Sequence, residues 1–552
     1  MNHITGRSAF LALLKSEGVT HLFGNPGTTE LPIMHALVDH PDLTYVMSMH
    51  ESLVVGMADG YARASGQLGA CNVHVTPGLG NAMGSLFNAK FTNTPLILTA
   101  GQQELGHGLT EPLLFDNLVR VAEPLVKWAV EVTRLEDLPR IVHRAAKVAM
   151  TPPTGPVFIS LPGDILNDEN AIDLGTMTRV DSRVRPSDEL LADIANCILK
   201  AKRPIIIVGD EVVRSDAMAE AASLAETIGA PAMQQGFASS GCYLSEHNCY
   251  MGLFPKNQPA MRKTLSEHDL MIVLGCDPLR TSVASETDPM PAGLPVLHIG
   301  LDDWQIGKNY AVDLPVRADI RETLRALIPL LKQMGGAALQ SSANDRMAAF
   351  AAGNWSAKRG KLASAILERP AAKPIDPDQL MLHLVETLPR DAMIVHEGFT
   401  STHHLCDLFA FRDRFAYHNG GSGGIGWSLP ASIGAAFAQP ERPVVTVVGD
   451  GSAMFSIQAL WTMAHHKLPI TTVICNNGGY RIIKQRLKSF LGGNHFVGMD
   501  FVDPAVDFVG LARSMGVEAH RITETDQIQP TLSAAIASRR PVLLDVIVDN
   551  RV

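Results

Sequence analysis

Along most of the chain, short and uniformly apolar runs alternate with Gly- or Pro-marked turns and helical stretches. In the first third the runs fall at 20–27, 43–51, 69–75, 95–101 and 155–163. In the middle they fall at 204–211, 270–278 and 295–303, and in the last third at 392–399, 414–421, 443–451, 469–478 and 541–548. Runs this short and this apolar suit strands buried on both faces, as in a parallel sheet covered by helices. The polar stretch 167–186 reads as a linker, with Ser187 placed to cap the next helix. The Ala-rich stretch from Gly335 to Pro377 reads as helical or linking. The pattern predicts an α/β protein of three doubly wound parallel-sheet domains, at 1–170, 187–335 and 375–552. No repeat of 20–50 residues is visible, which excludes a solenoid.

Length agrees with this reading, since 552 residues at ~150 per domain give three or four domains. With 46% hydrophobic and 18% charged residues, long disorder and collagen-like repeats are excluded. A net charge of −10 removes any general attraction to nucleic acid, while a local basic pocket for an anionic ligand stays open. The seven cysteines are odd in number and show no C-x-x-C spacing, so neither a disulfide framework nor a structural zinc site is expected. The N-terminal apolar stretch is broken by Lys15 and Glu17 and reads as an amphipathic helix, not a signal peptide. No run of ~18 apolar residues marks a membrane span. A cytoplasmic protein with reduced thiols is expected.

In open parallel sheets, ligands sit beyond the carboxyl ends of the strands. In the last third, one run ends at Gly449-Asp450, followed by Gly451 and Ser452, and the next ends at Asn476-Asn477. One βαβ crossover can bring both ends together. A carboxylate, an amide oxygen and a backbone carbonyl form a hard oxygen set suited to Mg²⁺ or Ca²⁺ and not to zinc, and Mg²⁺ so held completes its shell with phosphate and water. Gly451, Ser452 and the helix start offer donors to the same phosphates. Each turn taken alone also reads as a plain strand-to-helix connection. Gly421 to Gly426 matches G-x-G-x-x-G, which leaves open an NAD-dependent oxidoreductase. His465 and His466, at a helix end, suit the helix dipole. In the first third Glu51 closes a run ahead of a helix, either as a helix-start charge or as a buried functional carboxylate. Gly-rich turns at 24–32 and 76–84 fall at the same sheet edge, and His74 sits in the strand before the second.

Glu51 after a strand, GDGS at 449–452 and NN at 476–477 together resemble the thiamine-diphosphate-dependent enzymes of the pyruvate decarboxylase and acetolactate synthase superfamily. FGNPGTTELP, VVGMADGYARAS, GNAMG, PLILTAGQQ, PLVKWA, GGIGWSLPASIG and GDGSAMFSIQALWT are most similar to the benzoylformate decarboxylases within it. The resemblance spans the chain and implies pyrimidine-binding, middle and diphosphate-binding domains. It implies that Glu51 hydrogen-bonds N1′ of the aminopyrimidine, and that Ile425, between Gly424 and Gly426, is the wedge that bends the cofactor. Gly423 would receive the pyrimidine amine through its carbonyl. Asp450, Asn477 and the Gly479 carbonyl would hold Mg²⁺, with Gly449, Gly451, Ser452, Thr400, Ser401 and Tyr480 around the diphosphate. His74 would transfer protons, and Thr28 would position substrate where the family has a serine. Where the family brings a second histidine from the middle domain, this chain has Ser282. Asn419, Ile482 and Arg486 stand where the aromatic-acid enzymes are apolar; Arg486 either pairs with a second carboxylate or other anionic group of the substrate or faces solvent on an amphipathic helix, and benzoylformate itself is not expected as the substrate. The resemblance implies decarboxylation of a 2-oxo acid to an aldehyde, with carboligation onto an acceptor aldehyde from the same site. An acetolactate-synthase-like carboligase is the alternative. It also implies a homodimer or homotetramer in which Glu51 serves a neighbour's diphosphate domain.

Overall fold

The computed structural model describes residues 3–552. It contains three six-stranded sheets, each parallel throughout. A short antiparallel clasp pairs β1 (His3–Thr5) with β8 (Glu169–Ala171). The first sheet holds β2 (His21–Gly24), β3 (Thr44–Met47), β4 (Gly69–His74), β5 (Leu96–Gln102), β6 (Ala129–Glu131) and β7 (Val157–Pro162). The middle sheet holds β9 (Pro204–Val208), β10 (Ala232–Gln234), β11 (Tyr250–Leu253), β12 (Leu270–Leu274), β13 (Val296–Gly300) and β14 (Leu314–Arg317). The third holds β15 (Met393–Glu397), β16 (Tyr417–Asn419), β17 (Val444–Gly449), β18 (Ile470–Asn476), β19 (Glu518–Ile522) and β20 (Val542–Ile547).

The central strands are buried on both faces, as uniform apolarity requires: all seven residues of β5 and all five of β9 and β12 are buried. Helices cover them. Ser187 caps its helix as expected, its hydroxyl accepting the Leu190 N–H. The strands absent from the hydrophobic pattern, β6, β10, β11, β14 and β19, are three to five residues long and all but β10 lie at sheet edges. Two expectations change. Residues 76–84 are not a turn but part of the Val75–Phe91 helix. Glu51 does not close a strand: β3 stops at Met47, and Glu51 is the first residue of the Glu51–Ser65 helix.

The outer sheets share one permuted order. The first runs β3-β2-β4-β5-β7-β6 and the third β16-β15-β17-β18-β20-β19, both second-first-third-fourth-sixth-fifth. The helix after the second strand in each, Glu51–Ser65 and Ser428–Ala438, packs against the other. Glycines permit the contact: a Cβ on Gly60 would lie 2.1 Å from the Ala431 carbonyl oxygen, and one on Gly434 2.0 Å from that of Met57. Leu53, Val54 and Met57 share one core with Trp427, Leu429 and Ile433. The middle domain joins the third along β16, where Asn419 N–H donates to Ser239 O and Gly241 N–H to Tyr417 O. Among the described residues, no helix is long and apolar enough to cross a membrane.

Candidate active site: two half-sites at strand ends

The first half-site gathers where β2, β3, β4 and β5 end. Glu51 is buried, and each of its oxygens accepts one amide N–H, from Asn25 at 2.9 Å and from Asn81 at 3.0 Å. The Gly-rich turn after β2 and the Val75–Phe91 helix thus each lend Glu51 one amide. His74 ends β4 and is followed by Val75 at φ 46°, a strained conformation for a β-branched residue. The imidazole Nδ1 lies 2.8 Å from Glu30 Oε2 and 3.0 Å from Thr29 Oγ1. Glu30 is fully buried and also accepts from Gly27 N–H, Gly101 N–H and the Thr29 hydroxyl. Sequence reasoning passed over Glu30 and Thr29. Thr28 itself is exposed at the start of the short helical turn 28–30.

The second half-site lies at the ends of β15, β17 and β18. Gly449 pairs with Cys475 across two parallel neighbours, which brings Asp450 beside the 476–479 turn. Asp450 Oδ1 accepts the Gly451 N–H at 2.8 Å, and Oδ2 accepts those of Gly478 at 2.6 Å and Gly479 at 3.2 Å. Burial nevertheless pushes the Asp450 carboxyl up to about 6. The Asn477 amide donates to Ser401 Oγ at 3.2 Å, and its buried Oδ1 has no hydrogen-bond partner among the described residues. A buried carboxylate beside an unpartnered amide oxygen is a set of hard oxygen donors that could hold a cation such as Mg²⁺. Gly451 and Ser452 are buried in the turn behind it, and Thr400 is half-buried beside Ser401. A Cβ on Gly451 would strike the Tyr480 ring at 2.7 Å, and Tyr480 stands edge-on to Phe501. A Cβ on Gly479 would meet the Met499 carbonyl at 2.4 Å.

Between these strands the 420–427 loop presents Ile425. Gly423 and Gly424 are exposed and Ile425 is half-buried. Asn419, expected to face substrate, spends its amide on the loop: Nδ2 donates to Ala238 O and Oδ1 accepts the Gly421 N–H. Ile482 is half-buried and Arg486 exposed on the Arg481–Leu491 helix, the guanidinium 5.9 Å from the Phe490 ring centre. Ser282 lies on an exposed middle-domain loop. His465 stacks on Trp461, and burial lowers the pKa of His466 instead of charging it for the dipole.

The dinucleotide reading of the 421–426 glycines finds no phosphate cradle. Behind the 421–426 glycines, the N–H groups of Gly426 and Ser428 are taken by the Glu397 carboxylate at 2.5 and 2.6 Å. The middle sheet has the dinucleotide strand order, β11-β10-β9-β12-β13-β14. At its switch point Glu211, whose carboxylate accepts the Leu301 N–H, lines a cavity of about 310 Å³ together with Arg63, Arg214 and Asp302. A phosphate there would meet this buried acid.

Comparison with known proteins shows the family of all three domains. Residues 4–113 match the family described as the N-terminal thiamine pyrophosphate (TPP) binding domain of thiamine pyrophosphate enzymes, 191–327 the central domain, and 400–546 the C-terminal TPP binding domain. The chain is 32% identical to benzoylformate decarboxylase of Pseudomonas aeruginosa over 98% of both chains. It is 26% identical to the acetolactate synthase large subunit of Haemophilus influenzae, covering 100% of this chain and 95% of that one. Among solved structures, the thiamine diphosphate-dependent 4-hydroxybenzoylformate decarboxylase of Rhodococcus jostii RHA1 superposes with a TM-score of 0.87 at 28% identity, over 99% of each chain.

Proposed function

Because the chain belongs to the thiamine pyrophosphate enzymes, matched in all three domains, we propose that it decarboxylates a 2-oxo acid to an aldehyde, using thiamine diphosphate and Mg²⁺. The observation that carries this reading is the pairing of an oriented buried carboxylate, Glu51, with a metal-ready oxygen set, Asp450 and Asn477 Oδ1. Thiamine diphosphate, when bound, supplies a carbon nucleophile and an electron sink for the fragment left after CO₂ departs. Asp450, Asn477 Oδ1 and the Gly479 carbonyl would hold Mg²⁺, while Ser452, Thr400 and Ser401 donate to the diphosphate. Glu51 would share a proton with N1′, its orientation set by Asn25 and Asn81. Ile425 would set the bend, and the Gly423 carbonyl would accept the pyrimidine amine.

His74 supports release of aldehyde over carboligation. With Nδ1 turned to Glu30 and Thr29, Nε2 is the nitrogen left to deliver a proton to the reacting carbon. An acceptor aldehyde in the same place would instead yield an acyloin. Thr28 would position the substrate carboxylate. Arg486, with Ile482 beside it, favours a substrate carrying a second anionic group. Ser282 cannot act as an imidazole, which leaves His74 as the proton carrier. The site would be completed by a second copy of the chain. Exposed Leu109, Leu113, Phe490, Leu491 and Val497 mark apolar surface on the domains that carry the two half-sites, which suits burial in a homodimer or homotetramer.

The test is a screen of aromatic, branched and dicarboxylic 2-oxo acids with CO₂ detection, run with thiamine diphosphate and Mg²⁺ on the wild type and on Glu51→Gln. One substrate class is expected to release CO₂, and Glu51→Gln is expected to lower kcat by ~10²–10⁴-fold. Silence across the panel, or a Glu51→Gln enzyme as fast as the wild type, would overturn the reading.

A further inference from the structure

The wedge loop is held very unevenly. On the N-terminal side of Ile425, Gly423 (φ +82°) and Gly424 are exposed, and a Cβ on Gly423 would meet nothing within 4 Å. On the C-terminal side, Gly426 adopts φ +96°, and a Cβ there would strike the Phe455 Cβ at 2.7 Å. The N–H of Gly426 and that of Ser428 both donate to Glu397, one to each carboxylate oxygen. Between them, the Trp427 indole donates to Asp59 of the first domain at 2.7 Å. Glu397 is the last residue of β15 and is buried, so its carboxylate is fixed to the sheet that also carries Asp450.

We propose that Glu397 is a positioning residue for the bent cofactor: its two hydrogen bonds, one at the residue next to Ile425, fix where the wedge stands. This rests on the reading that thiamine diphosphate folds over Ile425. The carboxylate touches neither substrate nor cofactor in this role and acts through the backbone. The glycine side is held by Gly421 N–H to Asn419 Oδ1, Ser422 N–H to Asn88 Oδ1 and Gly424 N–H to Ser422 Oγ, none of them at a residue that follows the wedge, so the Glu397 clamp is the anchor on the C-terminal side from which the wedge projects. A carboxylate beside the first residues of the Ser428–Ala438 helix also serves as a simple helix cap. That lesser role would affect stability and leave the cofactor's geometry alone.

The experiment uses full-length wild type, Glu397→Gln, Ile425→Ala and the double variant, loaded with thiamine diphosphate and Mg²⁺. It measures cofactor affinity by fluorescence titration and the deuterium exchange rate of the bound cofactor's C2 hydrogen by quench and NMR. Thermal melts monitor folding. Glu397→Gln is expected to slow exchange by at least ~10-fold while changing affinity by less than ~3-fold. The double variant is expected to be no slower than Ile425→Ala, because both remove one device. Should Glu397→Gln fail to fold, Glu397→Asp, which keeps the charge but falls short of one donor, is read in its place with the same expectation. Wild-type exchange in the folded variant, or strictly multiplicative losses in the double, would overturn the proposal alone. A wild type that binds no thiamine diphosphate, or exchanges no faster than free cofactor, would overturn the functional reading and this proposal with it.

Discussion

His74 reaches the site with one ring nitrogen already committed. Glu30 holds Nδ1 and is itself held by two backbone N–H groups and the Thr29 hydroxyl. A carboxylate so anchored fixes both the ring's orientation and which nitrogen faces the site. Glu30→Gln keeps the shape and removes the charge. It is expected to lower kcat by ~10–100-fold with unchanged thiamine diphosphate affinity, measured by steady-state kinetics beside a cofactor titration. Equal loss of both would mean that Glu30 only supports the turn. Glu51, Asp450 and Asn477 stood out as candidates in the sequence because their residue types sit beside strand ends, where the structure also places them. Glu30 could not, because an acid near a helix start looks like an ordinary dipole partner until its donors are seen; Glu397 ends a strand, but the backbone it holds lies 29 residues further on, which no local pattern shows. Asn419 shows the reverse error: a polar residue beside the wedge loop looked like pocket lining, yet its amide is consumed by backbone.

At the scale of the element, glycine was the hardest signal to interpret. In TPGLGNAMG it suggested a turn, but the segment is helical, with Pro77 in the first turn where its missing N–H costs little. In VVGMADG the same residue type reads as a helix defect worth ~1 kcal/mol per residue relative to alanine. The reason for it lies in another domain: Gly56, Gly60 and Gly434 let two helices approach until side chains give way to backbone. Gly434→Ala is therefore expected to destabilise despite its better helix propensity, by ~2 kcal/mol or more through overpacking. A urea melt of the variant checks this, and an unchanged or raised midpoint would refute the close approach.

At the scale of the whole molecule, the α/β class and the buried strands followed from apolar runs, and so did the edge strands β3 and β16, while the edge strands β6, β11, β14 and β19 did not, because one solvated face dilutes the pattern. The seams between domains were invisible as well. One of them buries His418, the middle residue of β16, whose ring nitrogens both lack a partner among the described residues. Burial and the charges of Arg63 and Arg442 depress its pKa well below the ordinary value. Burial also takes His396 down to about 3 and His298 to about 4. A depressed base binds fewer protons folded than unfolded. The stability these rings permit is therefore complete above ~6.5 and is lost as pH falls below it, by up to ~1.4 kcal/mol per pH unit for each ring. Glu397 and Asp450, raised to about 7 and about 6, act in the opposite sense, favouring the fold as pH falls through that range. His418→Leu is expected to raise stability at pH 5 by more than at pH 8, read from paired denaturant melts. Equal shifts at both pH values would refute a neutral buried imidazole.

The repeated strand order of the outer domains bears on how such a molecule arose. The seam between them is built from the same helix of each copy, related by position in one shared blueprint. That is the geometry two identical ancestors would adopt on meeting face to face. Duplication and fusion of such an ancestor would leave two strand-end edges free to diverge, here the one that carries Glu51 and the one that carries Asp450 and Asn477, with the original pair folded against itself in each chain.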